Sequence, residues 1–122
     1  SDSQLVFIIL HNLIENACKY AAPNEAIRVT AHVPPEVIPP VALIEVINPP
    51  GPSGWPEAEK LFEKYYRSPH ARRQAGTGLG LFLARQLAQV MGGNVDYKPQ
   101  DGCIRFVVRL PLEAIQAGPD GP

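Results

Sequence analysis

The sequence has no long hydrophobic run and no excess of charge of either sign. Its longest apolar stretch, residues 5–10, is far shorter than the roughly 20 residues that cross a bilayer. Eleven basic and twelve acidic residues give a formal net charge of −1, which offers no positive surface to nucleic acid or to an anionic membrane. The polar N-terminus shows no secretory signal. These absences argue against a membrane-spanning, a secreted and a nucleic-acid-binding protein.

Cysteine is also scarce. Cys18 and Cys103 permit one disulfide but do not form the framework of a small secreted domain. The favoured interpretation is two buried thiols in a reducing cytoplasm. No cluster of histidine and cysteine predicts a metal site, and no serine nucleophile elbow is present.

Proline and glycine, in contrast, are abundant. The 14 prolines and 10 glycines are concentrated in three clusters, at 34–40, 49–56 and 118–122. The second cluster opens a long segment without periodicity, and such a connection in a compact domain predicts a functional lid, here 49–77. Within it we expect a short helix over 57–66. The length fits one domain, residues 1–112, followed by a flexible tail over 113–122.

Hydrophobic periodicity predicts two long helices and two pairs of strands. The helices are expected at 1–21 and 78–91, and the strands at 26–33, 41–47, 94–98 and 103–110. The first strand alternates apolar and polar residues, which predicts a half-buried strand with Val29 and Val33 on its apolar face. The second helix is expected to bury an apolar stripe that includes Leu83 and Val90. The order of elements predicts an α/β (α+β) two-layer sandwich, with helices on one face of a mixed, largely antiparallel sheet.

Asn12, Asn16 and Lys19 form a polar face on the first predicted helix. Their spacing of i, i+4 and i+7 places the three side chains on one side of the helix. An amide oxygen is a neutral ligand suited to Mg²⁺, a lysine ammonium binds phosphate, and the neighbouring Tyr20 offers a flat amphipathic ring. The spacing alone favours a nucleotide site no more than it favours two ordinary surface asparagines beside a lysine.

A second candidate phosphate site is the glycine-rich turn before the second helix. Gly76, Gly78 and Gly80 surround Thr77, which is placed to cap the helix. A helix start presents free backbone N–H groups and a positive dipole, and glycine lets phosphate come close. The spacing is neither the Rossmann pattern nor a Walker loop, and a flexible hinge is the alternative.

Taken together, three segments resemble the sensor histidine kinases of the wider gyrase, chaperone and kinase ATPase superfamily. Residues 10–21 (LHNLIENACKYA) are similar to their asparagine box, 61–68 (LFEKYYRS) to their phenylalanine box, and 76–93 (GTGLGLFLARQLAQVMGG) to their second glycine box. The order and spacing match as well, so the resemblance covers nearly the whole chain. It implies a Bergerat-type ATP-binding fold, with ATP and Mg²⁺ as ligands.

The resemblance also implies a role for each matching residue. Asn16 is expected to coordinate Mg²⁺, Asn12 to support the phosphates and the metal, and Lys19 to contact phosphate. Phe62 is expected to anchor the lid, and Arg67 to reach the phosphates or the partner domain. The ATP-binding residues expected in all are Asn12, Asn16, Lys19, Tyr20, Asn48, Gly51, Phe62, Arg67, Gly76, Thr77, Gly78, Leu79, Gly80 and Leu81. ATP-hydrolysing relatives carry a glutamate in place of Asn12, so its absence favours phosphotransfer, with no catalytic residue in this chain beyond those that position the nucleotide.

The chain departs from the family pattern at the end of its second predicted strand. The family's first glycine box is Asp-x-Gly-x-Gly, and its aspartate accepts a hydrogen bond from the exocyclic amine of adenine. Here Asn48 stands in place of the aspartate, and the first glycine, Gly51, comes one residue late. An amide oxygen can still accept from that amine, but a neutral hydrogen bond is about half as strong as a charge-assisted one. We therefore predict weaker or altered nucleotide affinity.

The resemblance places the phosphoacceptor histidine on a separate dimerisation domain. His11, His32 and His70 lack its context, and the chain begins without the strand that usually precedes the first helix in the family. We therefore expect a cytoplasmic part of a longer, membrane-bound bacterial receptor that signals to a response regulator. The isolated chain is expected to be a monomer that binds nucleotide without autophosphorylating. A degenerate partner-docking module and an anti-sigma-type serine kinase are the alternatives.

Overall fold

A computed structural model describes residues 2–22, 24–52, 54–63 and 80–116. The helices in these ranges are α1 (Asp2–Tyr20), α2 (Gly80–Val90) and α3 (Leu112–Gln116), and the strands are β1 (Arg28–His32), β2 (Val41–Asn48), β3 (Asn94–Tyr97) and β4 (Ile104–Pro111). Within the described part of the chain, no helix has both the length and the apolar character needed to cross a membrane.

The four strands form one sheet in the order β1-β2-β4-β3, and all three pairings are antiparallel. β2 and β4 pair along their whole length, ending with Asn48 opposite Ile104. β3 and β4 are joined by a tight turn in which Asp101 and Gly102 both have positive φ, as a type I′ hairpin turn requires. α1 contacts β2 and α2, and α2 contacts β3 and β4. The predicted two-layer sandwich is confirmed.

The hydrophobic core lies between the helices and the sheet. Alternate residues of β2 point into it, because side chains on a strand alternate between the two faces. The buried stripe of α1 consists of Ile9, Leu13, Ala17 and Tyr20. Phe106 of β4 is fully buried beneath these helices, and burial of such a side chain stabilises the fold by about 1.5–3 kcal/mol. The stripe fixes the rotation of α1 and leaves the adjacent Asn12 and Asn16 at the border of the core.

The exposure of β1 differs from the prediction. Val29 lies opposite the fully buried Val46, so both side chains point to the helical face of the sheet. Val29 is nevertheless 48% exposed, and Val33 is exposed as well. The prediction of a half-buried strand is wrong, since all five residues of β1 are exposed. Alternation gives the face of a strand but not the element that covers it. Among the described residues, the helices cover β2, β4 and β3 and leave β1 open.

The buried face of α2 also differs from the prediction. Leu81, Ala84 and Ala88 are buried, whereas Leu83 and Val90 are exposed, with Val90 at 76%. Alanine at the contact lets α1 approach α2 closely, so small side chains occupy the face on which larger apolar residues were expected. The helix ends as predicted, at a left-handed glycine, Gly92 (φ 92°).

Three further expectations need correction. The helix predicted over 57–66 is not present over 57–63, where the chain forms successive turns and buries Leu61 in the core. Residues 64–66 lie outside the described residues. The predicted tail begins too early, because α3 includes residues 113–116 and packs Ile115 against the core. Both cysteines are free, as expected, but Cys18 is exposed and Cys103 is only half-buried.

Candidate functional site

The polar face of α1 meets the beginning of α2. Asn12, Asn16 and Lys19 are half-buried on one side of α1, as their spacing predicts. A Cβ atom placed on Gly80, the first residue of α2, would lie 3.6 Å from Oδ1 of Asn12. The structure therefore brings the asparagine face and the end of the glycine-rich segment together.

The N-terminus of α2 gives this junction an electrostatic preference. The first turn of an α-helix has unpaired N–H groups and carries about half a positive charge. α2 has no acidic residue in its first turn that would offset this charge. An anion beside Asn12 would therefore be stabilised by the helix as well as by side chains.

Asn16 contributes a buried polar atom that the protein leaves without a partner. Its Nδ2 is inaccessible to solvent and has no hydrogen-bond acceptor among the described residues. Such a group costs about 1–3 kcal/mol unless a bound molecule satisfies it. The described residues contain no group of three or more His, Cys, Asp or Glu side chains that could hold a metal ion. A side-chain amide oxygen is a ligand type that suits Mg²⁺, which takes few protein ligands and binds to phosphates as well.

Asn48 supplies a second unpartnered atom at the end of β2. The residue is only 1% exposed, and its Nδ2 donates a 3.0 Å hydrogen bond to the carbonyl oxygen of Pro49. Its Oδ1 is buried and has no donor among the described residues. The amide therefore presents an unused acceptor at the position where the resemblance expects the adenine-binding aspartate.

Gly51 joins the end of β2 to the end of α1. Its N–H donates to the carbonyl oxygen of Tyr20 at 2.7 Å, and a Cβ atom at this position would lie 2.5 Å from the carbonyl oxygen of Ala21. Only glycine allows this approach without a shift of the backbone. Gly51 thus places Asn48 beside the polar end of α1, a structural role that spacing alone did not indicate.

Tyr20 and Leu81 lie deeper than their predicted roles suggest. Tyr20 is 4% exposed and belongs to the core, close to Tyr97 of β3. Burial, and then the nearby Tyr20, raises the pKa of the Tyr97 hydroxyl. Leu81 is also buried in the core. Both residues belong to the hydrophobic core next to the candidate site. Their contact with a nucleotide stays a prediction.

Phe62 is held by a residue that sequence reasoning missed. The guanidinium of Arg85 lies 3.5 Å from the centroid of the Phe62 ring, and that ring packs edge-on against Phe106 at 6.3 Å. Nε of Arg85 also donates to the carbonyl oxygen of Val95 at 3.0 Å, and the guanidinium lies 3.8 Å from Asp96. The side chain of Arg85 therefore links Phe62, near the middle of the predicted lid, to α2 and β3.

Five predicted site residues lie outside the described residues. They are Arg67, Gly76, Thr77, Gly78 and Leu79. The structure places Gly80 beside Asn12 in the middle of α1, and it places Gly51, three residues after Asn48, against the end of α1 at Tyr20 and Ala21. Phe62 lies over Phe106 and Arg85.

Comparison with known proteins gives concordant results. The sequence profile of the family described as "Histidine kinase-, DNA gyrase B-, and HSP90-like ATPase" matches residues 1–114. The swarming motility regulation sensor protein RssA of Serratia marcescens is 33% identical over 114 residues, which cover 91% of this chain and 23% of RssA. This chain thus spans less than a quarter of that relative.

Two solved structures show the same fold. The mycobacterial sensor histidine kinase MprB is 28% identical, with a TM-score of 0.69 over 91% of this chain and 74% of that chain. Full-length ShkA in complex with AMPPNP is 26% identical, with a TM-score of 0.68 over 88% of this chain and 21% of that chain.

Proposed function

We infer the function of this chain from its family: it belongs to the histidine kinase-, DNA gyrase B- and HSP90-like ATPases. Its relatives are sensor histidine kinases, and the chain is an ATP-binding domain of that kind. We propose that it binds Mg²⁺–ATP between α1, the end of β2 and the start of α2. We further propose that it supplies the γ-phosphoryl group to a histidine on a separate dimerisation domain of a longer kinase.

The observation that carries this proposal is the pair of unpartnered amide atoms. Asn16 Nδ2 and Asn48 Oδ1 are both buried without a hydrogen-bond partner among the described residues, although native proteins pair most such atoms. The bond from Gly51 to Tyr20 joins the ends of β2 and α1, the two elements that carry these residues. Nδ2 of Asn16 would donate to a phosphate oxygen and Oδ1 of Asn48 would accept from the amine of the base, so one bound nucleotide would satisfy both atoms.

The remaining residues fit the phosphate end. Oδ1 of Asn16 would hold the cation, and Lys19 would contact phosphate. Asn12 and the first turn of α2 would orient the triphosphate. When bound, Mg²⁺ neutralises charge on the phosphates, and phosphoryl transfer depends mainly on such neutralisation and on positioning. Phosphoryl transfer from the bound nucleotide therefore does not require the site to supply a nucleophile or a general base.

Relatives support the partners that we propose. RssA is a sensor protein, and ShkA was solved with AMPPNP, an ATP analogue. We propose that the phosphoryl group passes to a histidine in trans or on a neighbouring domain, and from there to a response regulator. We also propose that the lid spans about residues 49–77 and that the isolated chain is a monomer. In the longer protein, we propose that this chain belongs to the cytoplasmic part of a membrane-bound receptor.

Calorimetric titration with Mg²⁺–ATP and Mg²⁺–ADP tests nucleotide binding. We expect both to bind, and Asn16→Ala to weaken Mg²⁺–ATP binding at least about tenfold, since a charge-assisted contact contributes about 1.5–3 kcal/mol. Glu15→Ala is the matched control, because Glu15 is exposed on the adjacent side of α1 and pairs with His11. Equal affinities of the two variants would contradict the site. Failure of the unmodified chain to bind either nucleotide would favour the degenerate docking module, to which the replacement of aspartate by Asn48 also points.

Radiolabelled ATP tests the transfer. The isolated chain is expected to take up no label, and label is expected on the dimerisation domain when that domain of the same kinase is added. Label on the isolated chain would contradict the assignment of the acceptor to a separate domain.

A further inference from the structure

The amide of Asn48 is held in one orientation. Its Nδ2 is engaged by the carbonyl oxygen of Pro49 at 3.0 Å. A rotation of the amide by 180° would remove this hydrogen bond and place Oδ1 against that carbonyl oxygen, two acceptors facing each other. The orientation that leaves Oδ1 unused is therefore the favoured one, even though this atom is buried.

The residues after Asn48 explain why Oδ1 has no backbone donor from its own stretch of the described chain. The side-chain oxygen of an asparagine at such a position commonly accepts from the backbone N–H two residues further on. Here that residue is Pro50, and proline has no N–H; the same holds for Pro49. The first backbone N–H after Asn48 belongs to Gly51, which donates it to Tyr20. Each of the three following residues is thus unable to satisfy Oδ1.

We propose that Pro49 and Pro50 determine base specificity, by fixing the Asn48 amide as a free hydrogen-bond acceptor. This inference rests on the proposed function, because it assumes that the base of the nucleotide reaches Asn48. A purine with an amino group at position 6 can donate to Oδ1. A purine with a carbonyl there presents a second acceptor, and Asn48 cannot rotate to meet it without loss of its bond to Pro49.

The proline pair also explains how asparagine can replace aspartate here. A carboxylate is an acceptor in either orientation, so it needs no fixed rotamer to select an amine. An amide has one acceptor and one donor end and selects an amine only when its orientation is set. Asparagine at position 48 therefore selects an amine only in combination with the two prolines that follow it.

The test compares the affinities of the whole chain for Mg²⁺–ATP and Mg²⁺–ITP, which differ at position 6 of the purine. We expect ATP to bind roughly tenfold to a hundredfold more tightly, the range that follows from leaving a buried acceptor unpaired. ATP with a dimethylated 6-amino group has no N–H to donate, so we expect it to bind about as weakly as ITP. This comparison needs no variant. A ratio of ATP to ITP affinity near one, or tight binding of the dimethylated nucleotide, would overturn the proposal.

Variants then test the role of the prolines. Pro50→Ala restores an N–H two residues after Asn48, so we expect the ratio of ATP to ITP affinity to fall toward one, mainly through weaker ATP binding. Pro52→Ala is the matched control, because Pro52 is exposed and the same atoms are removed. Asn48→Asp combined with Pro50→Ala should restore the ratio, since a carboxylate keeps one oxygen free when the other is engaged.

The outcomes separate this inference from the proposed function. A Pro50→Ala protein that binds ATP with an unchanged ratio would overturn the role of the prolines while leaving nucleotide binding intact. Absence of binding of all the nucleotides to the unmodified chain would refute the proposed function, and with it the inference.

Discussion

The backbone N–H of Gly51 donates a 2.7 Å hydrogen bond to the carbonyl oxygen of Tyr20, and this bond joins the end of β2 to the end of α1. The two residues are 31 positions apart in the sequence, yet the bond brings Asn48 to the same end of the molecule as Asn16. The approach is so close that a side chain at Gly51 would collide with the carbonyl oxygen of Ala21.

Replacement of this glycine tests the junction. We expect Gly51→Ala to lower the free energy of unfolding by about 1–3 kcal/mol, because its Cβ would lie 2.5 Å from Ala21 O and the backbone must move. Urea denaturation measures the loss. Gly54→Ala is the control. Gly54 has a φ of 74° and, within the described ranges, no atom near the new Cβ, so the expected cost is only the strain of that φ, about 1 kcal/mol. A smaller cost at Gly51 than at Gly54 would contradict the close approach.

Gly80 offers a test of the phosphate end that spares the fold. A Cβ at Gly80 would make an ordinary contact with Asn12, at 3.6 Å, so Gly80→Ala should leave stability unchanged or raise it by up to about 1 kcal/mol, as alanine favours a helix. The methyl group would, however, occupy space beside the proposed phosphates. We expect weaker Mg²⁺–ATP binding in calorimetry together with an undiminished melting temperature. Unchanged affinity would show that phosphate does not approach Gly80.

The ion pair between Glu45 and Arg105 predicts a pH dependence of stability. Nε and Nη2 of Arg105 donate to the two carboxylate oxygens at 3.0 and 3.2 Å, and this hydrogen bonding lowers the pKa of Glu45 below its ordinary value of 4.5. Because the folded-state pKa is lower than the unfolded-state value, the pair stabilises the fold above about pH 4.5, and the contribution is lost as the pH falls through the folded-state pKa. We expect Glu45→Gln to cost about 1 kcal/mol at pH 7 and almost nothing at pH 2. A cost that is equal at both values of pH would contradict the ion pair.

Arg85 is expected to hold Phe62, near the middle of the lid, against the rest of the domain. Arg85→Met keeps much of the side-chain volume but removes the stacking on Phe62 and the hydrogen bond to Val95, for an expected loss of about 1–3 kcal/mol. Arg109→Met is the control, because Arg109 is exposed on β4. A double-mutant cycle with Phe62→Leu should give a coupling energy of about 0.5–2 kcal/mol. Additive effects of the two substitutions would show that the ring and the guanidinium do not interact.

Periodicity and motif spacing predicted much of this architecture. Ile9, Leu13 and Ala17 recur in the sequence at helical spacing and form the buried stripe of α1, and the same helical geometry puts Asn12 and Asn16 together on the next face. The turn at Asp101 and Gly102 was also readable, since few residues tolerate positive φ. In both cases the information is local, because it depends on geometry within a few residues.

The errors concern features that depend on distant neighbours. Val29 points to the helical face as its alternation predicts, but its exposure depends on where α1 and α2 lie over the sheet. α2 buries alanines because α1 packs closely against it, and nothing within its own sequence fixes that distance. The role of Arg85 depends on its contact with Phe62, which lies 23 positions earlier in the sequence.

The sequence by itself determined the asparagine and lysine face of α1 and, through Pro49 and Pro50, the absence of backbone donors next to Asn48. Both follow from covalent geometry, which the chain carries in any conformation. Only the tertiary structure decided that Asn48 is buried with one amide end bound and the other unused, and that Gly51 brings it beside α1. Burial and long-range hydrogen bonds arise from segments far apart in the chain, so their effect on the amide becomes visible only when the sheet and the helices have packed together.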